Sequence, residues 1–341
     1  MEKELTKKLK KITRLIESTV DDDIIYGASF SLIGDNINEQ HYIGYQGVNQ
    51  EKIGLKPGML YDIASLTKVV GTTTRILQLI DEHKIHLTDK IGMYISDFRH
   101  PEITIYQLLT HTSGLPADFD NVHSLTKEQL ITKIINVEFL PEKDNVYSDF
   151  NYILLGWLID KLDGNLAESL ERNIFLPLGM QNTGYNPRIN SYEDVVPTEV
   201  QPDRGGLIRG EVHDYKAYLL EGISGHAGLF STLQDLTTFA NNIVNTSGES
   251  ENIISRDMIN EIKQTSIGGR TIGWQRWGDK YEYYWHTGFT GTSIALNMEN
   301  RTAFVCLTNR VYPSRKNNGW TSKRKEALEY FFGEENENDT K

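Results

Sequence analysis

Apolar residues recur at helical spacing in the first stretch of the chain. In "MEKELTKKLKKITRLIEST" they are Leu5, Leu9, Ile12, Leu15 and Ile16, with lysines between them. That stripe predicts an amphipathic helix. A basic helix of this kind fits either a membrane surface or the protein's own sheet, and packing on the sheet is the expectation. The period then changes. "DIIYGASFSLIGD" and "EQHYIGYQG" read as a strand pair separated by a Gly/Asn turn. From about residue 66 to 175 helical signals dominate. "VVGTTTRILQLIDEH" carries an apolar face on Val69, Ile76, Leu77 and Ile80, and "NYILLGWLIDKLDG" ends on Gly164 as a C-capped helix would. "NLAESLERNIF" and "TLQDLTTFANNIV" read as further helices. Residues 176–222 are loop-rich, with Pro177, Pro187, Pro197 and Pro202. Three strand-like runs follow, "KYEYYWHTG", "GTSIALNMEN" and "RTAFVCLTN", and then a charged helix, "SKRKEALEYFF". The closing "GEENENDTK" is polar and expected to fray.

Strand signals thus lie at both ends and helical signals in the middle. Strands from the two ends of a chain can share one sheet. The pattern predicts a sheet lobe from residues 1–60 and 231–341, with a mostly helical lobe of residues 61–230 inserted between. Nothing resembles a linker or an internal repeat, so all 341 residues read as one catalytic domain. A cleft between two such lobes is the expected place for a site.

Charge narrows the function classes. The formal net charge is -12, which repels phosphate backbones and argues against nucleic acid as a partner. No apolar run is long enough for a membrane span. The one cysteine, Cys306, lies in "TAFVCLTN" and reads as a buried strand residue. The N-terminus lacks the apolar core and cleavage site of a signal peptide, so a cytoplasmic location is expected unless a leader has been removed.

Candidate chemistry begins with a repeated tetrapeptide. Ser-Leu-Thr-Lys occurs at Ser65–Lys68 and again at Ser124–Lys127, and Ser322 starts a third Ser-x-x-Lys. A serine three residues before a lysine is one way to build an acyl-transfer nucleophile, but about one such spacing is expected by chance. In the second copy Thr126 and Gln129 have the spacing of a capping box, which places Lys127 on an exposed first turn. The third copy sits in a dense basic cluster. Only the first lies among apolar and small residues, from Ile63 and Ala64 to Val69, Val70 and Gly71. There Lys68 shares a helix face with Ser65. Burial should lower its pKa and let it accept the serine proton. A capping serine beside a structural lysine fits the same context.

Two other stretches could complete an acyl-transfer site. "NVYSDFNY" offers Tyr147 as a second proton carrier, with Asp149 beside it. "YWHTGFTGTS" offers His286, Thr287 and Gly288 at a strand end, where the Phe289 N–H could join that of Ser65 as an oxyanion donor. His213, Asp214 and His226 invite a metal reading, but no metal-binding spacing accompanies them. Ordering of the cleft-rim loops is preferred for them, and no metal or other cofactor is expected. His111, in "HTSGLP", is expected to pin a turn.

These stretches, with "LLTHTSGLP", "GEVHDYKAYLLEGISGHAGLFSTLQDL" and "LTNRVYP", resemble the class C β-lactamase-like serine hydrolases. That family includes penicillin-binding D-alanine carboxypeptidases, esterases and D-amino-acid peptidases. The resemblance covers nearly the whole chain, from about residue 24 to 332. It implies an α+β fold, an antiparallel sheet flanked by helices plus a helical lobe. It also implies Ser65 as nucleophile, Lys68 as its base partner, Tyr147 as second proton carrier and His286, Thr287 and Gly288 as the third motif. Two positions depart from the better-known members. Asp149 stands where an asparagine usually holds the substrate amide, and an ionised carboxylate only accepts hydrogen bonds. His286 stands where many have lysine, and its charge is expected to vary around pH 6 to 7. The expected activity is hydrolysis of small esters or amides, including peptide substrates, through an acyl-Ser65 intermediate. The alternatives are a cell-wall D-alanine carboxypeptidase and a non-catalytic ligand-binding relative.

Overall fold

The computed structural model describes residues 2–34, 37–140, 145–246 and 252–333. The strand pair of the sequence reading is Gly27–Gly34 and Ile37–Gly44. The expected turn between them falls largely on residues 35 and 36, and the expected frayed tail on residues 334–341, both outside the described residues.

One six-stranded sheet joins the two ends of the chain. Its order is Ile37–Gly44, Gly27–Gly34, Thr302–Thr308, Ser293–Asn297, Tyr283–Thr287 and Gln275–Arg276. All neighbours are antiparallel, and Ala28 pairs with Thr308 at the junction. Side chains alternate between the faces as the pleat requires. Ala28, Phe30, Leu32, Phe304 and Cys306 point to an outer layer, while Ile33, Val305 and Leu307 join the inner core.

The outer layer consists of the helices Glu2–Asp21 and Gly319–Phe332. Leu5, Leu9, Ile12, Leu15 and Ile16 are buried there against the sheet and Phe331. Each such aliphatic side chain contributes about 1.5–3 kcal/mol when fully buried. The apolar stripe therefore belongs to the protein's own core. Among the described residues no helix is long and apolar enough to cross a membrane.

On the inner face, helix Leu233–Val244 packs against the central strands. Beyond it lies the helical part, in which Asp149–Asp163 is the central rod. Phe150, Ile153, Leu154 and Leu158 are wholly buried. The rod stops where expected: Gly164 takes φ 87° and its N–H returns to the Asp160 carbonyl at 2.9 Å. The fold is α+β, as the pattern of strands at the ends and helices between them implies.

Candidate active site

Ser65 sits in a single 3-10 turn, Ala64–Leu66, which runs on through a wider π-type segment, Lys68–Thr73, into helix Thr74–Asp81. Ala64 before it takes a left-handed φ of 47°, uncommon for a residue with a Cβ. Its N–H is held by Asp62 Oδ1 at 2.8 Å. The i, i+3 spacing brings the Lys68 ammonium onto the serine. Lys68 Nζ donates to Ser65 Oγ at 3.0 Å, to Asp149 Oδ1 at 2.8 Å and to the His226 carbonyl at 3.0 Å. All three N–H bonds of the ammonium are therefore used, although the side chain is wholly buried.

This corrects one sequence-based expectation. Burial alone pushes the Lys68 pKa down, but the Asp149 carboxylate and Tyr147 beside it outweigh burial, and the net shift is upward. The ion pair with Asp149 thus favours the charged form of Lys68. The Asp149 carboxylate lines the cleft with both oxygens engaged: Oδ1 binds Lys68 and Oδ2 lies 3.2 Å from Lys216 Nζ. Burial pushes the Asp149 pKa up, yet these two lysines prevail and lower it.

Lys216 had no signal in the sequence. It is almost fully buried on the short helix Tyr215–Leu219, and its ammonium also meets Asp118 at 2.6 Å and Asp214 at 3.7 Å. Asp214 in turn accepts from or pairs with His226 Nε2 at 2.8 Å and caps its own helix through the Ala217 N–H. Asp149, Asp214 and His226 lie close enough to share a cation. The cations already seated on those carboxylates are Lys68 and Lys216. His213 and His226 both order loops at the rim: His213 Nε2 lies 2.9 Å from Glu199, which also holds Arg315.

Tyr147 lies just before the central rod. His111 positions it: His111 Nδ1 accepts the Ser148 N–H at 3.1 Å, and its ring lies 4.5 Å from that of Tyr147. Two cations face the Tyr147 ring, Lys68 Nζ and the Arg270 guanidinium, each 5.0 Å from its centre. Arg270 is another residue the sequence did not single out, since nothing around it marks the cleft.

The third motif is split. The strand Tyr283–Thr287 places Thr287 at its end, half-exposed, and Phe289 beyond it, 47% exposed. His286 points inward and is 2% exposed, with Nδ1 on the Thr287 carbonyl at 3.0 Å and, among the described residues, no partner for Nε2. Burial, then Lys68 and Arg270, hold its pKa well below the ordinary imidazole value. The expected change of charge at pH 6 to 7 is thus corrected: His286 stays neutral there. Gly288 does permit a close approach, but to the protein's own chain. A Cβ at that position would lie 2.5 Å from the Ile63 carbonyl oxygen. The N–H groups of Ser65 and Phe289 donate to no acceptor among the described residues.

Ser65, Tyr147, Asp149, Lys216, Phe289 and Arg315 line one cleft of about 340 Å³. The second Ser-Leu-Thr-Lys is elsewhere, as expected. Thr126 and Gln129 form a capping box, and Lys127 pairs with Glu221 at the surface.

Comparison with known proteins identifies the family and the fold. The Beta-lactamase family model matches residues 12–329. A putative D-alanyl-D-alanine carboxypeptidase of Escherichia coli O157:H7 is 31% identical over 301 residues, covering 74% of this chain and 69% of that protein. The octameric penicillin-binding protein homologue from Pyrococcus abyssi superposes with a TM-score of 0.74 at 21% identity, over 97% of this chain and 79% of that one. The D-amino acid amidase from Ochrobactrum anthropi gives 0.70 at 20% identity, over 94% and 99%. With a nucleophile-like serine held by a buried lysine in the cleft of that shared fold, the chain belongs to the β-lactamase family of serine hydrolases.

Proposed function

We propose that the hydrolase works through an ester formed at Ser65 Oγ, on small ester or amide substrates of the esterase or D-amino-acid peptidase type. The observation that carries this reading is the bond from the buried Lys68 ammonium to Ser65 Oγ at the mouth of a cleft. Lys68 supplies a fixed positive charge beside the oxygen that must lose its proton. Tyr147 is the proton carrier of this step, and Lys68 and Arg270 are the charges that face it. The Ser65 oxygen bonds to the carbonyl carbon, the N–H groups of Ser65 and Phe289 hold the oxyanion, and Tyr147 returns the proton as the C–O or C–N bond breaks. Water then repeats the sequence on the acyl ester and frees Ser65.

A second reading is a D-alanine carboxypeptidase acting on cell-wall peptides, and the name of the Escherichia coli relative favours it. Its substrate ends in a free carboxylate. Neutral His286 offers that group nothing, whereas Arg315 at the rim is 43% exposed and carries a fixed charge. This reading requires a location outside the cytoplasmic membrane, and the first allows a cytoplasmic one. Immunodetection in fractionated cells separates them.

The experiment is intact-mass spectrometry after mixing with a fluorescent penicillin, alongside nitrophenol release from p-nitrophenyl butyrate. Ser65→Ala should remove any adduct and lower ester turnover by about 10⁴-fold or more. Full turnover in that variant would sink the mechanism. A lasting penicillin adduct points to the carboxypeptidase, and ester turnover without one to the esterase.

A further inference from the structure

The two N–H groups assigned to the oxyanion come from segments far apart in the chain, yet one residue is tied to both. Asp62 is 2% exposed and lies three residues before Ser65, at the end of the short strand Tyr61–Asp62. Its Oδ1 accepts the Ala64 N–H at 2.8 Å and so holds the left-handed residue that presents Ser65. Its Oδ2 accepts the His213 N–H at 2.6 Å, and the His213 ring stacks on Phe289 with centroids 5.5 Å apart. Its main-chain carbonyl accepts from Thr290 Oγ1 at 2.8 Å, and Thr290 is the residue after Phe289.

The neighbouring contacts tighten the same junction. Thr292 Oγ1 donates to the Ile63 carbonyl at 3.1 Å. Gly288 and Gly291 close a turn around Phe289 and Thr290, with the Gly291 N–H on the Gly288 carbonyl at 3.1 Å. Thr290 and Thr292 are both buried, and each hydroxyl donates to a carbonyl of the segment that leads to Ser65. The Thr290 hydroxyl does one thing: it fixes the Phe289–Thr290 turn against the segment that carries Ser65.

We propose that Asp62 and Thr290 are positioning residues that set the spacing of the Ser65 and Phe289 N–H donors. This rests on the acyl-Ser65 reading. An oxyanion hole works only when both donors meet one oxygen at hydrogen-bond distance, and loss of one donor costs about 10²- to 10³-fold in kcat. Asp62 and Thr290 touch no reacting atom. They act through the backbone they hold, so their loss falls on the transition state and spares ground-state binding.

The test uses the full chain with p-nitrophenyl butyrate as substrate and phenylboronic acid as an inhibitor that forms a tetrahedral adduct. Thr290→Val keeps the shape and removes the hydroxyl. It should lower kcat by about 10- to 100-fold, leave KM within about twofold and weaken phenylboronic acid in proportion to kcat. Thr290→Ser restores the donor and should restore kcat. Where Thr290→Val does not fold, Asp62→Asn gives the second measurement, because its amide nitrogen cannot accept an N–H and releases one of the two ties. A kcat within about twofold of the parent in the folded variant overturns the proposal, as does equal loss in Thr290→Ser. Ser65→Ala runs beside them. If it is inactive while Thr290→Val is unchanged, only this inference fails; if it remains fully active, the acyl-Ser65 reading fails.

Discussion

Lys68 and Asp149 form a buried ion pair of 2.8 Å across the floor of the cleft, and Ser65 is bound to the lysine end of it. The carboxylate end is shared with Lys216. The nucleophile-bound lysine is thus one member of an alternating row of charges, and its protonation is set by the row.

Removing one member should therefore be costly. Asp149→Asn leaves two buried ammonium groups without their shared partner, and breaking a buried pair in this way costs about 3–5 kcal/mol. Urea denaturation at pH 7 measures it. The variant should also lower the Lys68 pKa, because the carboxylate is the principal group holding it up against burial. The alkaline limb of the pH–rate profile should then move to lower pH.

The same row fixes how stability depends on pH. The folded Asp149 carboxyl is depressed, so its contribution is present above the ordinary aspartate value of about 3.9 and is lost as pH falls below it. The folded Lys68 is raised, so its contribution is complete below about 10.4 and fades as pH climbs beyond. His111 and His286 are both depressed, and each must stay neutral while its unfolded counterpart charges. Stability should thus begin to fall below about pH 6.5, before the carboxyl effect sets in. Thermal unfolding across pH 3 to 11 checks all three limbs. Imidazole NMR shifts of His286 should show no titration between pH 7 and 6.

Gly288→Ala should be poorly tolerated. The added methyl would meet the Ile63 carbonyl oxygen at 2.5 Å and Thr292 Oγ1 at 2.1 Å. Overpacking of this sort costs about 1–3 kcal/mol, and here it displaces the strand end that carries Phe289. Turnover should fall more than stability does, which a comparison of kcat with the urea midpoint reveals.

Much of the architecture follows from local pattern. The apolar run of Thr302–Thr308 reads as a buried strand and the helical stripe at Leu5, Leu9 and Ile12 names a face, and the structure buries both. The Ser65–Lys68 contact was readable because both residues lie on one turn. The charge of Lys68 was not, since its counter-ion lies 81 residues away and reaches it only through the packing of two helical segments. His286 was misread for a related reason. Which face a strand residue shows depends on register, and pairing with Ile294 turns its ring toward the core. Lys216 and Arg270 carry no spacing signal; only the fold brings them to the cleft.

The pairing of Ala28 with Thr308 has a consequence for how the enzyme comes into being. The sheet's first hairpin is made well before the strand it must lie against. Phe289 reaches the cleft on the segment that precedes that closing strand. A nascent chain that stops short therefore holds Ser65 and Lys68 but not the scaffold that faces them. A chain made only as far as its helical part thus carries a lysine-paired serine with no assembled site around it.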